Sequence, residues 1–195
     1  FERAFEISKE QLWEEHIELI CEGLDTLTEI YINDKLVAKT DNMHRTYKLD
    51  VKDELKEGTN QIRILFKSVL NYIDEYQYEE NKTVHYIPSG GMKGNHLLRK
   101  AHSMLGWDWG PQLVDAGIWR NIYLLGRSTP QIEDVRIHQK HFEDGSVEVK
   151  VAVTMSEETD KNITVTFCEN SDEKQESNIF NQMVAEKVAE NKYVA

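Results

Sequence analysis

The sequence predicts an all-β protein built from sandwiches of antiparallel strands. Short segments alternate apolar and polar side chains, as strands with one buried face do. The clearest of these segments are residues 16–21, 29–32, 46–51 and 61–66. Turn-forming residues separate them at short intervals, and this spacing is typical of a sandwich rather than of alternating strands and helices.

Individual turns and one helix follow from local composition. Asn33 and Asp34 stand between two apolar runs and predict a hairpin turn, because both residue types tolerate a positive φ. After residue 68 the alternation stops, and residues 69–80 fit a helix with Val69, Tyr72, Ile73 and Tyr76 on one side. Alternation resumes at residues 132–138, 147–153 and 163–168, with Asp144 and Gly145 forming a turn. The segment 178–194 fits either a helix or a pair of strands.

Composition excludes several classes of partner. The 195 residues carry a net charge of −12, which disfavours binding to nucleic acid or to an anionic membrane. No apolar run approaches the ~20 residues of a membrane span, and none is typical of a secretion signal. Cys21 and Cys168 lie far apart, so we expect free thiols, a reducing compartment and a cytoplasmic location.

The most informative motif is L-G-W-D-W-G-P at residues 105–111. Trp107 and Trp109 flank one carboxylate, Asp108, beside a Gly-Pro turn. An indole face stacks on the C–H face of a sugar ring, and a carboxylate accepts hydrogen bonds from hydroxyl groups, so the motif indicates a site for a small polar ligand. The alternative is a tryptophan-rich corner of the core in which Asp108 caps a turn.

The run from Arg99 to Pro111 resembles the signature of family 2 glycoside hydrolases, in particular the β-mannosidase branch. Residues 116–124, A-G-I-W-R-N-I-Y-L, are similar to the strand that closes the sugar-binding domain of that family. Segments 1–5, 22–26, 30–33 and 40–44 match the family in the same order. The resemblance covers residues 1–125 closely and the remainder only in general character.

The resemblance implies two domains. Residues 1–127 are expected to form a jelly-roll, galactose-binding-like β-sandwich, with opening strands of the family missing before Phe1. Residues 130–195 are expected to begin an immunoglobulin-like β-sandwich. This second domain is expected to be incomplete, because such sandwiches need ~100 residues.

The resemblance also implies a function for the longer protein, the hydrolysis of terminal β-mannosides with retention of configuration. In that family both catalytic glutamates lie on a (β/α) barrel, and no barrel-length segment is present here. We therefore expect no catalytic residue in this chain and no activity of the chain alone. The alternatives are a β-galactosidase or β-glucuronidase of the same family, a free-standing carbohydrate-binding module, and a structural sandwich in which Trp107 and Trp109 are buried.

Five residues are the candidate substrate contacts. The family motif implies that Asp108 binds mannose hydroxyls and that Trp107 and Trp109 form part of the wall of the site. Arg99 and Lys100 are further candidates, with pairing to carboxylates of the barrel as the alternative. The expected partners are a β-mannoside or related oligosaccharide, the protein's own C-terminal barrel and, through an exposed sheet edge, a second copy of the chain.

The remaining aromatic and histidine residues receive structural interpretations. We expect Trp13 to pack against the fold and Trp119 to belong to the core. His85, His96 and His102 have no spacing typical of a metal site, so we expect neither a metal nor a cofactor.

Overall fold

The computed structural model describes residues 1–79, 91–92, 94–107, 109–168 and 179–195. The chain forms two units, residues 1–128 and residues 129–195. Antiparallel strands make up most of the regular structure in both units, which confirms the predicted all-β class.

The first unit contains nine of the described strands, one α-helix and four short 3-10 turns. The strands are β1 (Glu2–Ile7), β2 (His16–Cys21), β3 (Leu24–Asp25), β4 (Thr28–Ile32), β5 (Lys35–Thr40), β6 (Tyr47–Asp50), β7 (Gly58–Phe66), β8 (Gly117–Ile118) and β9 (Ile122–Arg127). The helix is α1 (Val69–Glu79), and the 3-10 turns are Gln11–Trp13, Lys52–Glu54, Asn95–Leu97 and His102–Leu105.

Two antiparallel sheets of the first unit face a shared apolar core. One sheet has the order β1-β7-β4-β5, the other has the order β6-β2-β9, and β3 pairs separately with β8. In β4 the side chains of Thr28, Ile30 and Ile32 are buried while the residues between them are half-buried, as the alternation predicts. Seven buried side chains from both sheets and their connections form the centre of the core: Leu19, Cys21, Leu24, Ile30, Ile32, Val51 and Ile64.

The predicted hairpin between β4 and β5 is confirmed, since Asn33 and Asp34 both have a positive φ, at 48° and 65°. The Asn33 side chain donates hydrogen bonds to the Glu54 carbonyl and to Oδ1 of Asn60, both at 2.8 Å. Asn60 is buried and donates in turn to the Lys56 carbonyl at 2.7 Å. These side-chain bonds join two turns at the same end of the sandwich.

The helix predicted for residues 69–80 is confirmed as α1, Val69–Glu79. Residue 80 lies outside the described ranges. Val69 and Ile73 of α1 are buried in a second apolar cluster with Leu98 and Leu105. Tyr72, which was predicted to share the packed side of the helix, is partly exposed. The helix therefore covers the segment that leads into the tryptophan motif.

The expectation that Trp13 packs against the fold is wrong, because 68% of this residue is exposed. Trp13 ends a single 3-10 turn, Gln11–Trp13, with glutamates on both sides of that turn. One turn of this kind offers no apolar face for the indole to pack on.

The second unit consists of β10 (Ile132–His141), β11 (Val147–Met155), β12 (Thr164–Cys168), β13 (Ile179–Val184), β14 (Glu186–Ala189) and β15 (Lys192–Val194). One sheet has the order β10-β11-β15-β14, and β12 pairs with β13. Val151, Val153, Met155, Ala185 and Tyr193 are its buried apolar side chains. The segment 179–194 therefore forms strands, and the helical alternative for it is wrong.

The two cysteines are free thiols in different surroundings. Cys21 is completely buried in the first unit, and burial raises the pKa of its thiol to about 12. Cys168 is exposed at the end of β12 in the second unit.

Candidate functional site

The two tryptophans of the motif stand on a narrow turn within residues 101–114, which we call the aromatic loop. The backbone N–H of Trp107 donates to the Gly110 carbonyl at 3.4 Å, and the Gly110 N–H donates back to the Trp107 carbonyl at 3.2 Å. This reciprocal pair closes the turn. Asp108, the predicted hydroxyl-binding residue, lies outside the described residues.

The tryptophan side chains of the turn lie open to solvent. Trp107 is 50% exposed and Trp109 is 84% exposed. Two exposed indoles on one turn form an apolar surface patch, and such patches often mark a binding site. Burial of both indoles would favour the purely structural alternative, and neither indole is buried.

The segment just before the turn is anchored in the fold. Leu105 is fully buried, and its carbonyl accepts a hydrogen bond from the Met92 N–H at 3.0 Å. Gly106 follows with a φ of +81°, and a Cβ at this position would lie 2.4 Å from Cγ of Gln112. The chain therefore needs glycine here to turn from the buried Leu105 to the exposed Trp107.

Lys100 lies in a different environment from the other predicted site residues that the structure describes. Its side chain is buried and forms an ion pair with the buried carboxylate of Asp25. The Lys100 ammonium also donates to the Asp115 carbonyl at 2.6 Å. Groups of this chain therefore enclose the Lys100 ammonium, and it is not open to a ligand.

Arg99, the neighbour of Lys100, is exposed. Its backbone carbonyl accepts a hydrogen bond from the Met43 N–H at 2.9 Å, and its backbone pairs in parallel with Asn42. The segment after β5 therefore fixes the backbone of Arg99 while its side chain stays accessible to a ligand or to a neighbouring domain.

Trp119 is neither a simple core residue nor an open platform for a sugar. It is 44% exposed, and its indole N–H donates to the Met43 carbonyl at 3.1 Å. The indole lies so close to Gly23 that a Cβ there would be 2.5 Å from Nε1, and the Arg120 guanidinium carbon lies 4.2 Å from the ring centroid. Trp119 therefore links the segment that contains Met43 to the segment that contains Gly23.

Sequence reasoning missed Asp25. The local sequence gives no sign that Asp25 is buried, whereas the structure buries it in the strand β3 between Leu24 and Thr26. Carboxylates are seldom fully buried without a partner, so such a position calls for a cation elsewhere in the chain. The partner, Lys100, is 75 residues away in sequence.

A cavity of about 400 Å³ in the first unit is lined mainly by apolar residues of the strands, including Phe1, Phe5, Leu19, Ile62, Ile122 and Leu124. Across the described ranges, no three histidine, cysteine, aspartate or glutamate side chains come together as a metal site, and His85 lies outside those ranges. Within the same ranges, no helix combines the length and the apolar character of a membrane span.

Comparison with known proteins identifies the family. The family described as "Glycosyl hydrolase 2 galactose-binding domain-like" matches residues 1–120. The chain belongs to this family. The resemblance found in the sequence motifs is thereby confirmed, and its family 2 glycosyl hydrolase domain spans most of the first unit.

Curated relatives of this family 2 domain are β-mannosidases. The β-mannosidase of Bos taurus is 32% identical over 113 residues, which cover 54% of this chain and 12% of that protein. β-Mannosidase A of Emericella nidulans is 34% identical over 110 residues, covering 55% of this chain and 12% of that protein. The chain thus matches only about an eighth of the length of these relatives.

Two solved structures superpose on the whole of this chain. The β-D-mannosidase of Dictyoglomus thermophilum superposes with a TM-score of 0.79 and 26% identity, covering all of this chain and 23% of that one. The β-glucuronidase of Bifidobacterium dentium superposes with a TM-score of 0.59 and 12% identity, covering all of this chain and 32% of that one. The second likeness concerns the fold alone.

Proposed function

We propose that this chain is the N-terminal, non-catalytic part of a β-mannosidase-like glycoside hydrolase that removes terminal β-linked mannose. Residues 1–127 form its galactose-binding-like sandwich, and residues 130–195 form part of an immunoglobulin-like sandwich. The catalytic carboxylates lie on a (β/α) barrel outside this chain, and the reaction proceeds with retention through a glycosyl-enzyme intermediate.

In this proposal the aromatic loop contributes one wall of the subsite that holds the cleaved sugar. Trp107 and Trp109 stack against the sugar, and Asp108 accepts hydrogen bonds from mannose hydroxyls. Arg99, whose side chain is exposed, is a further substrate contact in this proposal. Lys100 is not among these contacts, because its ammonium is enclosed by Asp25 and the Asp115 carbonyl.

The observation that carries the proposal is the exposure of both tryptophans on a turn closed by reciprocal backbone bonds. The reciprocal bonds restrict the backbone of the turn before ligand arrives, so less conformational entropy of the backbone is lost on binding. The β-mannosidase relatives supply the sugar class. This turn and those relatives together favour a mannoside over a galactoside or a glucuronide.

The decisive experiment uses the whole protein that contains this chain and a chromogenic β-mannoside. We expect Asp108→Ala to lower kcat/KM by about 10- to 100-fold, the effect of losing hydrogen bonds to a charged group. Asp53→Ala is the matched control, since it removes an exposed carboxylate on a 3-10 turn in the same unit. Equal activity of the Asp108→Ala and Asp53→Ala proteins overturns the assigned role of Asp108.

A titration of the isolated chain separates this proposal from a free-standing binding module, an alternative favoured by the openness of Trp109. Mannose and short β-manno-oligosaccharides are added while tryptophan fluorescence is followed, with galactose as the control sugar. Saturable mannose binding that Asp108→Ala abolishes supports the binding module. A folded chain without binding, beside an active whole protein, supports a site completed by the barrel.

A further inference from the structure

Lys100 closes the base of the aromatic loop. It immediately precedes residue 101, and its ammonium donates to the carbonyl of Asp115, which immediately follows residue 114, at 2.6 Å. One side chain therefore ties together the two ends of the segment that presents Trp107 and Trp109. Closing a loop at its base reduces the conformations available to its tip.

Asp25 fixes this closure to the sandwich. Its carboxylate pairs with the Lys100 ammonium, and its second oxygen accepts a hydrogen bond from the Thr26 hydroxyl. The strand β3 that carries Asp25 pairs with β8, where Asp25 lies opposite Gly117. The ends of the loop are thus held against the strand pair that adjoins it.

Burial of an ion pair such as Asp25–Lys100 often adds little to stability. Removing two charges from water is unfavourable, and a buried ion pair is often no more stabilising than well-packed apolar side chains of similar volume. A buried ion pair can instead add conformational specificity, because a buried carboxylate and ammonium are satisfied in few alternative arrangements. A loop that must present aromatic side chains in one arrangement has use for such a constraint.

We propose that Asp25 and Lys100 are positioning residues for the aromatic loop, and that Lys100 acts on the ligand only through that loop. The effect on mannoside binding rests on the function proposed above. The effect on the order of the loop does not.

The test compares three variants of the 195-residue chain by amide hydrogen exchange. Lys100→Met removes the closure and leaves Asp25 unpaired. Asp25→Leu/Lys100→Met replaces the whole pair with apolar side chains of similar size. Lys52→Met is the matched control, because the Lys52 ammonium also binds backbone carbonyls, those of Glu14 and Glu15, in a different loop.

We expect the double variant to recover the thermal stability that the single Lys100→Met variant loses. In both, the amides of Trp107 and Gly110 exchange at least ~10-fold faster than in the parent chain, while the core amide of Leu19 in the double variant keeps its rate. Lys52→Met leaves the rates at Trp107 and Gly110 unchanged. Parent-like exchange at Trp107 and Gly110 in the double variant overturns the proposal, because the pair then contributes stability alone.

A second readout uses the whole protein and its β-mannosidase activity. The double variant is expected to lower kcat/KM even though its stability is restored, whereas a purely structural pair predicts full recovery of both. An inactive parent protein rejects the proposed function, and the exchange rates of the loop still decide whether Asp25 and Lys100 position it.

Discussion

Residues 1–128 and residues 129–195 use the same antiparallel strands but bury their side chains to different depths. In the first unit Leu24, Ile30 and Ile32 are fully inaccessible to solvent. The buried residues of the second unit, such as Val151 and Tyr193, each retain some exposure. Every residue of β10 is exposed, including apolar ones.

The difference shows that alternation along a strand does not by itself bury the apolar face. In the first unit a four-stranded sheet shares its core with a three-stranded one. In the second unit, within the described ranges, the companion of the four-stranded sheet is the two-stranded β12–β13 pair. The same sequence pattern therefore yields a large core in one unit and a small one in the other, because burial needs a second layer.

The largest expected effect comes from making one substitution in both units. Ile30→Ala removes a fully buried side chain and should destabilise the first unit by about 3 kcal/mol through lost burial and a new cavity. Ile137→Ala alters a residue that is 62% exposed and should change stability by no more than ~0.5 kcal/mol.

Urea unfolding measures both effects. Tryptophan fluorescence reports on the first unit alone, since all four tryptophans lie within residues 1–128, and far-ultraviolet circular dichroism follows both units. Similar losses from the two substitutions contradict the difference in burial.

A smaller effect is expected when the turn asparagines of the two units are compared. Asn33 and Asn191 both have a positive φ, which glycine accepts without strain, so Asn→Gly isolates the side-chain bonds. Asn33 makes three, to the Glu54 carbonyl, to Asn60 and from the Gln61 N–H. In the described part of the chain the Asn191 side chain makes no hydrogen bond comparable to these.

Asn33→Gly should therefore lower the free energy of unfolding by about 2 kcal/mol, at ~0.5–1.5 kcal/mol for each bond. Asn191→Gly should leave it within ~0.5 kcal/mol of the parent value. Thermal unfolding of the two variants, followed by circular dichroism, measures the contrast. If Asn33→Gly lowers the free energy of unfolding no more than Asn191→Gly does, the side-chain bonds of Asn33 contribute little.

The smallest expected effect is a pH-dependent change in stability from Glu29, an ion-paired carboxylate of the first unit. The ammonium of Lys67, the hydroxyl of Tyr31 and the ammonium of Lys39 hold the pKa of Glu29 at about 2, below its ordinary 4.5. Because the folded-state pKa is depressed, the stability contributed by Glu29 is complete above pH 4.5 and is lost as the pH falls toward 2.

Glu29→Gln should therefore be less stable than the parent at pH 6 and should approach it as the pH falls toward 2. Urea midpoints from tryptophan fluorescence at several pH values give this difference. Glu158→Gln, which removes the partner of the exposed Lys187 in the second unit, is the control and should not change the first unit. A gap between Glu29→Gln and parent that stays constant with pH contradicts the assigned pKa.

Local chemistry allowed most of the fold to be predicted from the sequence. Asn33 and Asp34 predicted their hairpin because the required positive φ is a property of those residues themselves. The spacing of apolar residues predicted the helix α1 and the burial of its Val69 and Ile73 side chains. Residues 179–194 remained ambiguous because apolar side chains spaced four apart suit a helix, whereas pairing with β12 and β11 selects strands.

The candidate site was only partly predictable for the same reason. The composition around Trp107 and Trp109 predicted an exposed aromatic turn, because glycine and proline shape it locally. The enclosure of Lys100 was not predictable, since its partner Asp25 is distant in sequence and nothing near a lysine reveals that it will be buried. Trp13 shows the opposite error, in which an apolar side chain had no surface to cover it.

The closed base of the aromatic loop has a consequence for how this domain changes over time. The groups that hold the base, namely the side chains of Asp25 and Lys100 and the carbonyl of Asp115, all lie outside residues 101–114. Provided that the buried Leu105 and the glycine at position 106 are retained, the other residues between these anchors can be replaced without altering the groups that hold the base. Substitutions at the tip of the loop can therefore accumulate, in evolution or by design, while the sandwich beneath keeps its sequence.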